Sequence, residues 1–99
     1  MYMTTKANIT SFEWNQGNRD KNYQKHGITT VEAEEIFLDS NLTILEDIKH
    51  SQLEPRLIAM GKTLKGKTLV VVYTHRESNV RIISARVANK KEQIIYEKT

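Results

Sequence analysis

The sequence contains no cysteine and no long apolar run. Without cysteine there is neither a disulfide framework nor a thiolate metal site, so the fold must rest on packing alone. No apolar stretch approaches the roughly 20 residues of a membrane helix, and residues 1–11 lack the apolar middle of a signal peptide. These absences predict a cytoplasmic protein without membrane contacts.

Other features of large enzymes are also missing. The 99 residues are enough for one domain with one core, and we predict a single domain over 1–99, with the unpatterned residues 1–8 as a flexible extension. There is no glycine-rich phosphate loop, no serine nucleophile elbow and no zinc-like His/Cys spacing. The sequence therefore predicts neither a cofactor nor a metal.

Charge is present but segregated along the chain. Residues 1–27 hold four Lys/Arg and two acids, residues 28–54 hold one Lys and seven acids, and residues 55–99 hold ten Lys/Arg and three acids. The net charges are +2, −6 and +7, which sum to the overall +3. A basic C-terminal half is typical of proteins that bind polyanions, although lysines that only solvate strand edges would give the same composition.

The unbroken apolar run Leu69–Tyr73 predicts the central strand of a sheet. After a turn at 77–79 the chain returns through residues 80–86, which are rich in β-branched side chains. Side chains alternate along a regular strand, so this pattern predicts Arg81 and Arg86 on opposite faces. Arg86 could still turn into a site from the end of the strand, where the chain leaves for a helix.

The remaining elements complete an α+β domain. Phe12 and Trp14 are expected to anchor a first strand in the core, and capping signals at Thr29 and Asn89 predict the starts of helices. Strands are predicted at 9–14, 42–45, 56–60, 68–75 and 80–86, and helices at 16–26, at 31–38 and from 89 onward. The predicted order is β-α-α-β-β-β-β-α: a twisted antiparallel sheet packed by two N-terminal helices and a short C-terminal helix.

The predicted helix at 16–26 has only one sizeable apolar residue, Tyr23. Arg19, Tyr23 and His26 fall at i, i+4 and i+7 and form a cationic and aromatic stripe, with Lys25 beside it. Such a stripe suits the phosphates and bases of RNA. Alternatively, Tyr23 packs inward while the charges are solvated and Lys25 and His26 complement the helix dipole.

Acid/base and cationic chemistry remain available. Cleavage of RNA by its own 2′-hydroxyl needs a group that accepts the proton, a group that protonates the leaving oxygen, and cations around the phosphate. The side chains that can supply these roles are His26, Glu54, Lys25, Arg56, Arg81 and Arg86.

A more specific pattern combines several short motifs in a fixed order. Its members are Phe12-Glu13-Trp14, Asn22, Lys25-His26-Gly27-Ile28, Glu32-Ala33, Phe37, Glu54-x-Arg56, Gly61, 69–74 and 81–86. Between Phe12 and about Tyr96 the sequence resembles the BrnT toxin family.

This resemblance implies a RelE-like fold and a bacterial type II toxin: a ribonuclease that inhibits translation and growth. It also implies neutralisation by a ribbon-helix-helix (BrnA-like) antitoxin, with two toxins on one antitoxin dimer and operator DNA bound only through that complex.

Resemblance and charge together predict a metal-independent endoribonuclease. In this hypothesis His26 or Glu54 transfers the proton and Arg56, Arg81 and Arg86 bind phosphate. Arg19, Tyr23 and Lys25 complete the RNA site. The alternative is a non-catalytic or degenerate toxin-like module that acts only by binding an antitoxin or nucleic acid.

Overall fold

The computed structural model describes residues 11–14, 27–47 and 55–98. Two predictions lie outside these ranges: the flexible extension at 1–8 and the helix at 16–26. In the described ranges, no helix is long and apolar enough to cross a membrane.

The described chain forms one five-stranded sheet and two helices. The strands are β1 (Ser11–Trp14), β2 (Thr43–Glu46), β3 (Arg56–Lys62), β4 (Thr68–Arg76) and β5 (Asn79–Val87). Helix α1 (Thr30–Glu35) continues into a 3-10 turn (Ile36–Leu38), and α2 (Lys90–Glu97) follows β5. The strand order is β1-β5-β4-β3-β2, so the predicted α+β class and the central position of β4 are confirmed.

The prediction of an antiparallel sheet is wrong for one pair of strands. Each strand from β2 to β5 pairs antiparallel with the next one along the chain. By contrast, β1 pairs parallel with β5. The sheet is therefore mixed. Alternation of side chains within a four-residue strand carries no information about its direction, which is why the sequence did not reveal this pairing.

Both helices in the described ranges begin at the capping residues that their sequences predict, and each has a capping box. At α1 the Thr29 hydroxyl accepts the Glu32 N–H (3.1 Å), and the Glu32 carboxylate accepts the Thr29 N–H (3.0 Å). At α2 the Asn89 side chain and Glu92 exchange the same two bonds at 2.8 and 2.9 Å. These bonds satisfy backbone donors that have no partner inside the helix.

Helix α1 covers one face of the sheet, which we name the α1 face. Phe12 and Trp14 pack against its buried core, which confirms their predicted anchoring role. The ring of Phe37 lies 5.4 Å from that of Phe12 and 5.1 Å, edge-on, from that of buried Tyr73. These contacts fix the sheet from the α1 side.

Helix α2 packs on the opposite face, which we name the α2 face. Met60, Val70, Ala88 and Tyr96 form a smaller buried cluster there, with Ile58 beside it. Because α2 has only eight residues, it covers one end of this face. The other end, where β3 begins and β4 ends, is the part that bears on function.

Candidate nucleic-acid interface

The three arginines that the sequence predicts to bind phosphate all extend from the α2 face. Arg86 is opposite Val70 of the α2 cluster, while Arg81 and Arg56 are both opposite Thr74. Thr74 follows Val70 by four positions on β4, so the two side chains point to the same face. All three guanidinium groups therefore extend from the face on which α2 packs.

The predicted separation of Arg81 and Arg86 onto opposite faces is wrong, and a β-bulge is the reason. Val72 is opposite Ser84, but the next residue, Tyr73, is opposite Ile82. Ile83 is thus an extra residue in β5. One extra residue reverses the alternation between the two arginines and brings both onto the same face.

Arg56, Thr74 and Arg81 form a row across three neighbouring strands. Residues directly opposite each other in a sheet have Cβ atoms about 5 Å apart, so each arginine flanks Thr74. The two arginines start about 10 Å apart, two strand spacings, which long side chains can span from both sides. Glu13 of β1 is opposite Arg81 and adds a carboxylate at the sheet edge.

Thr74 is unusual within this row because it is a polar side chain that is only 4% exposed. Within the described part of the chain, its hydroxyl has no hydrogen-bond partner. A buried hydroxyl without a partner costs free energy, so its presence between two cationic side chains needs an explanation.

The Arg81 side chain is weakly held. Its Nη2 lies 3.5 Å from the Glu13 carboxylate, and both side chains are about half exposed, at 52% and 48%. Glu13 also accepts a shorter bond, 2.7 Å, from the Asn79 amide. Exposed ion pairs of this length contribute little, so another anion can replace Glu13 at modest cost.

Arg86 is held much more firmly. Both of its terminal nitrogens donate to the two carboxylate oxygens of Glu92 at 2.7 Å, a bidentate pair. The Arg86 guanidinium is the largest cause of the lowered pKa of Glu92. Four strand positions, about 13 Å, separate the Arg86 level from the Arg81 level on β4. Arg86 is thus coupled to α2 and remote from the Thr74 row.

The other predicted site residues lie outside the described ranges. They are His26, Glu54, Arg19, Tyr23 and Lys25. Sequence reasoning did not single out Thr74, nor Glu13 and Glu92 as partners of the arginines. Cross-strand register is the signal that identifies Thr74 and Glu13, and it requires knowing the pairing of the strands.

A groove of about 410 Å³ lies elsewhere, between α1 and the turn that joins β3 to β4. Glu32 and Glu35 line it, together with Lys65 and the apolar side chains of Val31 and Leu64. Glu32 is paired with Lys67 at 2.9 Å, and Glu35 accepts the Leu64 N–H. Its carboxylates make this groove a poor site for phosphate, which leaves the arginines of the α2 face as the better candidate.

Comparison with known proteins agrees with the fold. A solved structure with a similar fold is the 1.1 Å crystal structure of the Brucella abortus ribonuclease toxin BrnT, with a TM-score of 0.62 at 20% identity. The match covers 83% of this chain and 100% of that one. No curated protein matches the sequence. The family model described as the ribonuclease toxin BrnT of type II toxin-antitoxin systems matches residues 14–92, most of the chain. The protein therefore belongs to the BrnT family of type II ribonuclease toxins.

Proposed function

We propose that the protein is a metal-independent endoribonuclease that cleaves RNA through the 2′-hydroxyl and thereby inhibits translation and growth. The observation that carries this proposal is the row that Arg56 and Arg81 form with Thr74 across three strands of one sheet face. Two guanidinium groups that flank one position suit a phosphodiester, whose single negative charge grows as the reaction proceeds, and Arg binds phosphate oxygens in bidentate geometry.

The reaction needs no group beyond side chains and the substrate. The ribose 2′-oxygen attacks phosphorus, a bond from phosphorus to that oxygen forms, and the bond to the 5′-oxygen of the next nucleotide breaks. His26 or Glu54 takes part in the proton transfer from the 2′-hydroxyl to the leaving 5′-oxygen. Arg56 and Arg81 stabilise the negative charge that develops on the phosphate oxygens.

The remaining cationic residues extend the proposed RNA site. Lys25 and Arg19 bind neighbouring phosphates, and Tyr23 stacks on a base. Arg86 lies farther along β5 than Arg81. We therefore assign it to a different phosphate of the RNA. The pair of Arg86 with Glu92 uses two of the five N–H donors of the guanidinium, so Glu92 competes with RNA for this side chain.

Membership of a type II toxin-antitoxin family implies an antitoxin partner. We infer that the antitoxin is a ribbon-helix-helix protein, that two toxins bind one antitoxin dimer, and that operator DNA is read by the antitoxin. Acidic residues of the antitoxin would bind the arginines of the α2 face and compete with RNA.

Cleavage of a defined RNA in EDTA tests the proposal. Wild-type protein is expected to cut, and Arg56→Gln and Arg81→Gln are each expected to cut about 100-fold more slowly, because each removes a cation from the reacting phosphate. Lys65→Gln is the matched control, since it removes one charge from an exposed turn beside the acidic groove. A strict requirement for added metal, or equal loss in the Lys65 variant, would contradict the mechanism.

A further inference from the structure

Thr74 combines two properties that are in conflict in the free protein. Only 4% of its surface is exposed, and its hydroxyl has no hydrogen-bond partner among the described residues. Burying a hydroxyl is unfavourable when the hydrogen bonds that it made to water are not replaced by bonds within the protein. Valine has the same shape without this cost, so packing alone gives no reason for threonine here.

The neighbours of Thr74 indicate what partner the hydroxyl lacks. Arg56 and Arg81 are directly opposite it on the two adjacent strands and extend from the same face. Neither guanidinium can accept a hydrogen bond, because arginine has donors only. The partner that suits all three side chains is therefore an anion with several acceptor oxygens.

We propose that the Thr74 hydroxyl donates a hydrogen bond to the RNA phosphate that Arg56 and Arg81 bind, so that the three residues form one phosphodiester site. The inference rests on the proposed function and adds a neutral donor to it. The two arginines approach the phosphate from the sides, and Thr74 lies beneath it on β4. A donor on the central strand fixes the depth of the phosphate, which flexible side chains alone do not.

A phosphate can reach Arg81 at low cost. Among the described residues Glu13 is the acid paired with Arg81, and its contact of 3.5 Å between half-exposed side chains is easily broken. The incoming phosphate replaces Glu13 at Arg81 and supplies the acceptor that the Thr74 hydroxyl lacks. By contrast, Arg86 is engaged by Glu92 through two bonds of 2.7 Å, so the Thr74 row is the better first contact.

The test measures binding rather than cleavage. The probe is a 2′-O-methyl RNA oligonucleotide, which cannot be cut through its 2′ position, and its affinity for wild type and variants is measured by fluorescence anisotropy at fixed salt. Thr74→Val is expected to bind about tenfold more weakly, the loss of one hydrogen bond to a charged group, and Thr74→Ser within about twofold of wild type. Thr68→Val, on the same strand and face, is the matched control and is expected to leave affinity unchanged.

Thermal unfolding of the free proteins provides a second readout. Thr74→Val is expected to unfold at the same temperature as wild type or higher, because it removes a buried hydroxyl that lacks a partner. Weaker binding together with undiminished stability is the signature of a hydroxyl kept for a ligand. A lower unfolding temperature, restored by Thr74→Ser, would show that the hydroxyl has a structural partner and would overturn the inference.

The outcomes separate this inference from the proposed function. If wild type cuts RNA and Thr74→Val binds the probe as wild type does, the inference fails and the ribonuclease proposal stands. If wild type cuts no RNA but Thr74→Val weakens probe binding, the phosphate site stands and the catalytic proposal fails. If wild type does not bind the probe, the phosphate site itself is contradicted.

Discussion

Tyr96 shows how one side chain fixes the terminal helix to the rest of the domain. Its hydroxyl donates to the Asp39 carboxylate, which also accepts the backbone N–H groups of Asn41 and Lys62 at 3.0 and 2.8 Å. Burial, and then the interaction with Asp39, raise the pKa of Tyr96 to about 12. The carboxylate thus joins the end of the 3-10 turn, β3 and α2.

Tyr96→Phe is expected to destabilise the protein by about 1.5 kcal/mol near neutral pH, because it removes a hydrogen bond to a charged acceptor. A pKa above the ordinary 10.0 means that Tyr96 contributes stability below pH 10 and that this contribution is lost as pH rises through about 12. The difference in unfolding free energy between wild type and variant should therefore narrow between pH 10 and about 12. Urea unfolding at each pH measures this free-energy difference, and Ile94→Ala, at an exposed position of the same helix, is the control. A difference that stays constant with pH would contradict the role assigned to the Tyr96 hydroxyl.

At the scale of elements, α2 depends on Glu92 in two ways. The carboxylate accepts the Asn89 N–H in the capping box and also binds Arg86 of β5. The first contact starts the helix, and the second holds it to the sheet. Because glutamine can serve in a capping box but carries no charge, the two contributions can be separated by one substitution.

Glu92→Gln is expected to cost about 1 kcal/mol at pH 7, the contribution of a partly exposed bidentate ion pair. The hydrogen bond from Arg86 is the largest cause that lowers the pKa of Glu92 below the ordinary 4.5, so its contribution is present above that pH and is lost as pH falls below it. Denaturant unfolding from pH 7 to 3 should show the two proteins converging in acid. Glu97→Gln, an exposed acid of the same helix, is the control. An equal loss at pH 7 in both variants would contradict a specific role for Glu92.

Elements with a local chemical signature could be predicted from the sequence. The helix starts at Thr29 and Asn89 and the apolar central strand follow from residues close together in the chain. So does the turn after β4, which the sequence predicts at 77–79 and which lies at Glu77 and Ser78. The parallel pairing of β1 and the bulge at Ile83 depend on tertiary packing. Because of the bulge, strict alternation along β5 predicts the wrong relative orientation of Arg81 and Arg86. Thr74 was part of a recognisable motif, but its importance appears only when its cross-strand neighbours are known.

For the whole molecule, the segregation of charge along the chain is partly a segregation across the sheet. Glu32, Glu34 and Glu35 belong to α1, which covers the α1 face, whereas the three arginines extend from the α2 face. A polyanion therefore meets favourable charge on the α2 face. The same asymmetry gives an acidic antitoxin segment a preferred side on which to bind.

Light scattering of the purified toxin and antitoxin, resolved by size-exclusion chromatography, tests this view of the partner. A complex of two toxins and one antitoxin dimer is expected. The dissociation constant of this complex should rise with salt, because salt screens the attraction between opposite charges. It should also rise in Arg56→Gln and Arg81→Gln, because each variant removes one of those charges. Lys65→Gln should match wild type. A stable one-to-one complex, or an affinity indifferent to both arginines, would contradict the proposed interface.

The most direct test of the central proposal is the chemistry of the RNA ends after cleavage in EDTA. Mass spectrometry of the products distinguishes attack by the 2′-oxygen from hydrolysis by water. The proposed mechanism predicts a 2′,3′-cyclic phosphate or its opened 3′-phosphate on one fragment and a 5′-hydroxyl on the other. Fragments with 3′-hydroxyl and 5′-phosphate ends would contradict it.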